Sequence, residues 1–545
     1  MGTDRGADRD ADEQPALRAG HATPEADRMS SWCEIERLLK RHAVERPDST
    51  WLMFGDERYS WRSALSLAYR AANGFAGLGI RPNMRVGLMA GNSPDFLWAY
   101  LGALFLGTEI VLINKWQRGA PLDHMLQDSA IESLLFDADL EDVVRDALRR
   151  VPRPRHLVAL RASGRGGIGT AFADLLAGPD AEPQARPNPP VGAVTLIYTS
   201  GTTGPPKGIV AGGYEPLLAP VVHRLAVEPG ETMYTCMPLF HASGLLVFAL
   251  GSIRLGARFA LAEGFSASRF WSDVRQFEAV AANVFGVMVP YLLKRPPAAN
   301  DADHPLRRVL SVGCPPSAWA PFEQRFGTRI IEFYGTTDSP GFLLNDGGPV
   351  GSIGKPLDGA EFRIVDAEMR DLPPSEVGEI VYRHPAATGV HYHNLPEATA
   401  QSWRGGWFHS GDLGSRDADG YFYFHGRSKE SIRRRGENIS PWEVAGVIGM
   451  HPSVLEVAVF GVSAADGEED VMAAVVLRPG QALPHADLLR FCEGKLARYA
   501  MPRFIEYVAE LPKTSTQKIQ HTALRQRGVT AATWDRDAVH ESLAG

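Results

Sequence analysis

The sequence predicts a multi-domain fold, with a large N-terminal part of α/β and then β character and a small α+β domain at the C-terminus. Length is the first reason, since 545 residues exceed what one hydrophobic core organises. Periodicity is the second. Apolar strand-like runs alternate with helical spacing from Met29 to Ala193 and again over residues 211–345, as parallel sheets covered by helices require. The third is a change of texture after "GSIGKPLDG", where short β runs follow one another, and a further change beyond Arg427.

Taken in order, the first 28 residues are rich in Asp, Arg, Ala and Gly and carry no apolar run, so a disordered tail rather than a signal peptide is expected. "VGLMAGNS" reads as a strand and turn, "PDFLWAYLGALFLG" as a buried helix and "EIVLIN" as the next strand. The longest apolar run, Trp98 to Ile113, contains Glu109, Gly102 and Gly107 and is short for a membrane span, so none is expected. The Pro-rich "GPDAEPQARPNPP" (178–190) is a surface connection into the strand "AVTLIYTS". "AEFRIVD", "GEIVYR" and "GYFYFHGR" are short strands. "ISPWEVAGVI" and "ADLLRFCEGKLA" then read as helices, and "VLEVAVFGV" and "VMAAVVLR" as strands. The expected divisions are a tail at 1–28, an N-terminal domain at 29–427, a hinge at Ser428 and Lys429, and a C-terminal domain at 430–545.

A formal net charge of −8 with dispersed basic residues leaves no footprint for nucleic acid. Cys33, Cys236, Cys314 and Cys492 lie far apart, which excludes a disulfide framework and a C-x-x-C zinc site and makes a reducing cytoplasm the simplest setting. Gly164, Gly166 and Gly169 fit G-x-G-x-x-G, but only a short helical stretch follows before the Pro-rich connection. A dinucleotide fold needs a helix, a second strand and an acidic ribose ligand there, so this is read as a loop.

"YTSGTTGPPKGI" (198–209) is richer in chemistry. It departs from the Walker pattern because Gly208, not Ser or Thr, follows Lys207. Its glycines and hydroxyls can still form an anion nest for a polyphosphate, and it follows a buried strand, where α/β sheets bind ligands. With "MPLFHASGL" (237–245), "YGTTD" (334–338), "SGDLG" (410–414), "GRSKESIRRRGENISPWEV" (426–444) and "LPKTSTQKI" (511–519), in this order, the chain closely resembles the adenylate-forming superfamily from about residue 30 to 525. That superfamily holds acyl-CoA synthetases, luciferases and the adenylation domains of nonribosomal peptide synthetases.

The resemblance implies an N-terminal domain of two α/β subdomains plus a distorted β-barrel, and a mobile C-terminal domain. It implies attack of a carboxylate on the α-phosphate of ATP, then displacement of AMP by a thiol. Positive charge must gather where the phosphorus is attacked, because a carboxylate is a poor nucleophile towards a polyanion. Lys518 matches the lysine that bridges carboxylate and α-phosphate. Thr199, Ser200, Gly201, Thr202, Thr203, Gly204 and Lys207 match the pyrophosphate grip. Asp412 and Arg427 match the ribose ligands, a carboxylate accepting two hydroxyl donors being a natural diol clamp. Gly313, Cys314 and Pro315 would line the adenine without thiol chemistry, Tyr334 would stack on it, and Gly335, Thr336 and Thr337 would approach the α-phosphate. Asp338 stands where the family usually has a Mg²⁺-binding glutamate, and would act with Thr199; it keeps the oxygen ligand but is one methylene shorter.

His241 stands where amino-acid-activating relatives carry an aspartate for the α-ammonium group, so a non-amino, hydrophobic carboxylic acid is expected. His241 would gate the acyl pocket, the plainer reading being a satisfied core histidine. The pocket would be lined by Phe240, His241, Phe285, Gly286, Val287, Gly313, Gly335 and Gly341. Lys429 matches the hinge, and Gly436 and Glu437 would flank the pantetheine arm of CoA. Arg433 to Arg435 are candidates for the CoA phosphates or a solvated basic face. "RRRGENIS" and "KTSTQKIQ" most resemble the carnitine- and crotonobetaine-CoA ligase clade. The implied co-substrates are ATP with Mg²⁺ and CoA, in a monomer or homodimer. The alternatives are an acyl-AMP ligase serving a carrier protein or partner enzyme, and a catalytically silent acyl-binding protein.

Overall fold

The computed structural model describes residues 31–162, 167–184, 195–199, 206–210, 214–286, 288–338, 341–357, 359–385, 391–434, 437–464, 468–513 and 519–538. The expected tail, Gly164 and Gly166 lie outside the described residues.

The first sheet has eight strands, in the order His391–Tyr392, Lys207–Val210, Thr195–Thr199, Glu109–Leu112, Arg85–Met89, Ser133–Asp137, His156–Leu160 and Thr170–Ala171. Thr195–Thr199 and the five strands after it in that order are parallel, and their near-continuous apolar sequences suit strands covered on both faces. The helix Pro94–Leu106 is one cover. Ser93 accepts the Phe96 N–H at 3.2 Å, Pro94 occupies the first turn, and Gly107 ends the helix at φ +78°. It is apolar all round because it is buried all round. Phe96 and Phe105 are fully buried, each contributing roughly 1.5–3 kcal/mol by apolar transfer. Its neighbour Trp61–Leu78 approaches closely at Gly102, where a Cβ would lie 2.5 Å from the Ala71 Cβ. A side chain at 102 would push the two helices apart.

The second sheet, of fourteen strands, joins parallel and antiparallel parts in one hydrogen-bonded path, with Trp403–Arg404 pairing off the main line. Its parallel part contains Arg329–Tyr334, Arg308–Val312, Ala279–Phe285, Thr232–Thr235, Arg258–Leu261 and Thr50–Phe54. Thus the early hairpin Thr50–Ser60 completes this sheet rather than the one nearest in sequence. The antiparallel part runs from Leu343–Asn345 through Ser352–Pro356 to Phe422–Arg427, Trp407–Arg416, Gly378–Arg383 and Glu361–Val365. Three of these, Glu361–Val365, Gly378–Arg383 and Phe422–Arg427, are the β runs expected from the sequence. A single 3₁₀ turn, Ser428–Glu430, leads out of the sheet.

Beyond it, a hairpin (Ile432–Arg434 with Glu437–Ile439) and a four-stranded sheet (Val454–Ser463, Glu469–Leu477, Phe504–Tyr507, Trp534–Asp535) pack with the helices Pro441–Gly449, His485–Cys492 and His521–Arg527. Two clusters of buried residues belong wholly to this part, Ile432 to Ile505 and Ala458 to Leu524, while the other clusters use only earlier residues. Among the described residues, no helix is long and apolar enough to cross a membrane.

Candidate active site

Strand pairing builds the phosphate grip. Thr195–Thr199 and Lys207–Val210 are antiparallel, with Thr199 opposite Lys207 and Tyr198 opposite Gly208. The Thr/Gly segment therefore joins two strands of a hairpin, not a strand to a helix, which accounts for its departure from the Walker pattern. The far edge of Lys207–Val210 pairs with His391–Tyr392. This brings the Tyr392 ring under Lys207, whose Nζ lies 4.6 Å from the ring centroid. The Tyr392 hydroxyl donates to Asp338 Oδ2 at 2.5 Å. Burial, with the Asp338 charge beside it, pushes this phenol well above its ordinary range, so it remains a donor.

The nucleoside side is a cross-strand pair. Asp412, on Trp407–Arg416, faces Arg427 on Phe422–Arg427. Asp412 is 2% exposed; its Oδ2 accepts the Tyr334 hydroxyl at 2.6 Å. Arg427 Nε lies 3.1 Å from Oδ1, yet Oδ1 accepts no hydrogen bond from the described residues. The arginine is thus in ionic contact without its N–H aimed at the oxygen, which leaves Oδ1 able to receive a ligand hydroxyl. Burial raises the Asp412 carboxyl, against the lowering effect of Arg427 and Tyr334. Burial works against the Arg427 charge too, but Asp412, Glu430 and Asp338 more than offset it and hold the guanidinium above its usual range.

The adenine-side loop rests on a residue that motif reading did not single out. Glu332, on Arg329–Tyr334, is 3% exposed. It accepts the Gly313 N–H, and the Cys314 N–H at 3.1 Å to Oε1 and 3.2 Å to Oε2. Burial raises its pKa to about 7, partly opposed by these backbone donors. Gly313 sits at φ +76°, and Gly286 packs so close that a Cβ there would meet the Gly313 carbonyl oxygen at 1.8 Å. Two expected pocket glycines are therefore brought together by backbone contact. The Cys314 thiol is pushed up by burial, in keeping with a structural cysteine.

Aromatic rings surround His241. Its ring centroid lies 4.7 Å from Phe240 and 6.4 Å from Phe285, and Trp116 meets Phe240 edge-on at 5.6 Å. A π-helical segment, Ser243–Ala249, follows directly, a wide turn often found at functional sites. Asn283, 1% exposed on the strand that ends at Phe285, donates to Ser243 Oγ at 2.8 Å. Gly335 and Gly341 serve close packing: a Cβ would meet Phe342 Cδ1 at 2.4 Å in the first case and Ala360 Cβ at 3.1 Å in the second. Thr336 Oγ1 lies 3.5 Å from the Tyr382 hydroxyl. A groove of about 1060 Å³ near Tyr392, lined also by His384, His391, Leu395 and Trp403, contains none of the residues expected to hold nucleotide or acid.

Ser200, Gly201, Thr202, Thr203, Gly204, Val287, Gly436 and Lys518 lie outside the described residues, as do the side chains of Thr199 and Glu437. Arg434 pairs with Asp470 at 2.9 Å, and Asp470 with Arg503 at 2.8 Å. That arginine is tied into the C-terminal fold, whereas Arg433 is exposed. Tyr392, Glu332 and Asn283 are the functional candidates that sequence reading missed. Only for Tyr392 was there a local signal, an aromatic between two histidines in "HYHN".

Lys207 over Tyr392 and the Asp412–Arg427–Tyr334 group supply a cation and a buried diol acceptor, as a nucleotide-binding enzyme requires. Two family models agree: AMP-binding enzyme matches residues 39–392, and the AMP-binding enzyme C-terminal domain matches residues 443–518. This chain belongs to the AMP-binding enzymes, and it is an adenylate-forming acid–thiol ligase. A crotonobetaine/carnitine–CoA ligase of Salmonella paratyphi A is 31% identical over 493 residues, covering 87% of this chain and 95% of the relative. Two solved structures are similar in fold. An anthranilate CoA ligase in complex with anthranoyl-AMP has a TM-score of 0.81 and 27% identity, covering 90% of this chain and 96% of that one. A benzoate CoA ligase from Burkholderia xenovorans has a TM-score of 0.80 and 25% identity, covering 91% and 100%.

Proposed function

We propose that the protein activates a hydrophobic, non-amino carboxylic acid with MgATP to an acyl-adenylate, releasing pyrophosphate, and then transfers the acyl group to CoA. The observation that carries the reading is the clamp of Asp412, Arg427 and Tyr334 standing with the Lys207–Tyr392–Asp338 group, since a silent acyl-binding protein needs neither. Asp412 Oδ1 accepts a ribose hydroxyl, Lys207 takes charge on the departing pyrophosphate, and Lys518 neutralises the carboxylate and α-phosphate as they meet. Asp338 and Thr199 would hold Mg²⁺, which neutralises the phosphate oxygens; a half-buried carboxylate fixed by a phenol suits a hard cation. The aromatic surroundings of His241 favour an uncharged acyl body over an ammonium-bearing one. For the second step, rotation about Ser428–Lys429 withdraws Lys518 and presents Gly436 and Glu437 to the pantetheine arm, a proposal supported by the isolated turn Ser428–Glu430 between the two parts.

The CoA ligases among the relatives support CoA as acceptor and suggest the acids to try. The test is a panel of benzoate, anthranilate, crotonobetaine, carnitine and aliphatic acids, scored by pyrophosphate release with and without CoA and by mass spectrometry of the products. Acid-dependent release with a matching acyl-CoA is expected. Acyl-AMP that accumulates in the presence of CoA would favour a carrier protein or partner enzyme as acceptor. Absence of any acid-dependent release would overturn the reading.

A further inference from the structure

Two polar contacts tie one short stretch of the N-terminal domain to the C-terminal domain, and an ion pair within the C-terminal domain links them at Lys513. Lys513 Nζ donates to the Tyr291 hydroxyl at 3.0 Å and pairs with Glu456 Oε1 at 2.6 Å. Lys294 Nζ donates to the carbonyl of Leu455, the neighbour of Glu456 on Val454–Ser463. Lys513 in turn bridges to Ile519 through the backbone. Gln520 closes the same neck, its N–H donating to the Pro512 carbonyl at 2.8 Å and its Nε2 to the Lys513 carbonyl at 2.9 Å. Lys518 immediately precedes Ile519. Tyr291 lies on the helix Met288–Leu293, which follows the strand that ends at Phe285 on the acyl side.

We propose that Tyr291, gripping Lys513 and assisted by Lys294, is a positioning residue that holds the C-terminal domain in the docking used for adenylation and lets go for thioester formation. This rests on the ligase reading above. The chemistry of the contacts suits a releasable hold. Glu456 and Lys513 both belong to the C-terminal domain, so their ion pair travels with it and the ammonium stays compensated when the domains part. Only a neutral phenol oxygen and a backbone carbonyl are given up across the boundary, and water replaces both readily. Burial, with the charges of Arg478 and Lys513 nearby, brings the Lys294 ammonium down to about 8. The two lysines also sit against the Tyr291 ring, at 5.6 Å for Lys513 and 5.1 Å for Lys294.

The test is Tyr291→Phe, which keeps the ring and removes the acceptor, with Lys294→Met as a second variant outside the Lys513–Glu456 pair. Tyr291→Phe is expected to lower kcat for acid-dependent ATP–pyrophosphate exchange about tenfold, with KM for ATP and acid unchanged. Formation of acyl-CoA from supplied acyl-adenylate should be unchanged or faster. Hydrogen–deuterium exchange over residues 505–525 should quicken while Tm holds, and Lys294→Met should shift both readouts the same way. Parallel loss of both half-reactions, or an unaltered exchange rate with unaltered protection at 505–525, would overturn the latch. A wild-type protein with no acid-dependent exchange would refute the ligase reading instead, and hydrogen exchange in the variant would still decide the latch by itself.

Discussion

The two parts of the chain hold their expected functional residues by different means. In the N-terminal domain the groups expected to hold ATP are fixed by strand register: Thr199 is opposite Lys207, Asp412 opposite Arg427, and Tyr392 is carried beside Lys207 by a third strand. In the C-terminal domain Lys518 and Gly436 come from segments bracketed by short backbone pairings, Lys513 with Ile519 and Arg434 with Glu437. Its buried clusters are its own, and described contacts to the larger part include Lys513 to Tyr291, the Ser440 hydroxyl to the His425 carbonyl, and Phe424 against Trp442 at 6.1 Å. The expected nucleotide ligands therefore stand on one unit, and Lys518 and Gly436 belong to another with buried clusters of its own. That division suits an enzyme whose first substrate must stay bound while its catalytic groups are exchanged.

The contrast can be broken from either side. Lys518→Ala removes the charge proposed to meet the α-phosphate, so acid-dependent ATP–pyrophosphate exchange should fall on the order of 10³-fold, while nucleotide binding by calorimetry persists. Asp412→Asn attacks the fixed side instead. It keeps the shape and discards the diol-accepting carboxylate, and kcat/KM for ATP should drop about 100-fold, chiefly through KM. Tyr392→Phe frees Asp338 and leaves the ring under Lys207. We expect about a five- to tenfold loss in kcat/KM for ATP with a raised Mg²⁺ requirement, and weaker MgATP binding measured without turnover; an unchanged Mg²⁺ titration would separate Tyr392 from the cation site.

The smallest effect concerns pH. The folded protein holds the Glu332 proton up to about pH 7, whereas the ordinary value for the group is 4.5. The folded state therefore binds more protons than the unfolded chain between those values, and stability falls as pH rises through that window, by up to ~3 kcal/mol. Glu332→Gln should flatten this slope in urea titrations at pH 5 and pH 7.5. A wild-type slope that persists in the variant would assign the proton elsewhere.

Much of this was legible in the sequence because it is local. The all-apolar stretch with Ser93, Pro94 and Gly107 at its ends specified a buried helix, and Tyr334, Asp412 and Arg427 announced themselves through short motifs that the structure brings together. What escaped is register between distant segments. Nothing near Tyr392 tells which strand it will pair with, and nothing near Glu332 says that its carboxylate will sit beneath Gly313 and Cys314. The phosphate loop does follow a buried parallel strand, but Lys207–Val210 alone gives no direction for the strand after it; pairing supplies it. Arg434 looked like one of three equivalent arginines until Asp470, on another strand, took it.

The central claim, that a fixed nucleotide grip is served by a small domain turning at Ser428–Lys429, is tested most directly by Lys429→Pro with the two half-reactions measured separately. Pro fixes φ at the turn and restricts the residue before it. The account predicts adenylate formation within about twofold of wild type and thioester formation from supplied acyl-adenylate reduced about 100-fold. Equal retention, or equal loss, of both half-reactions would contradict it.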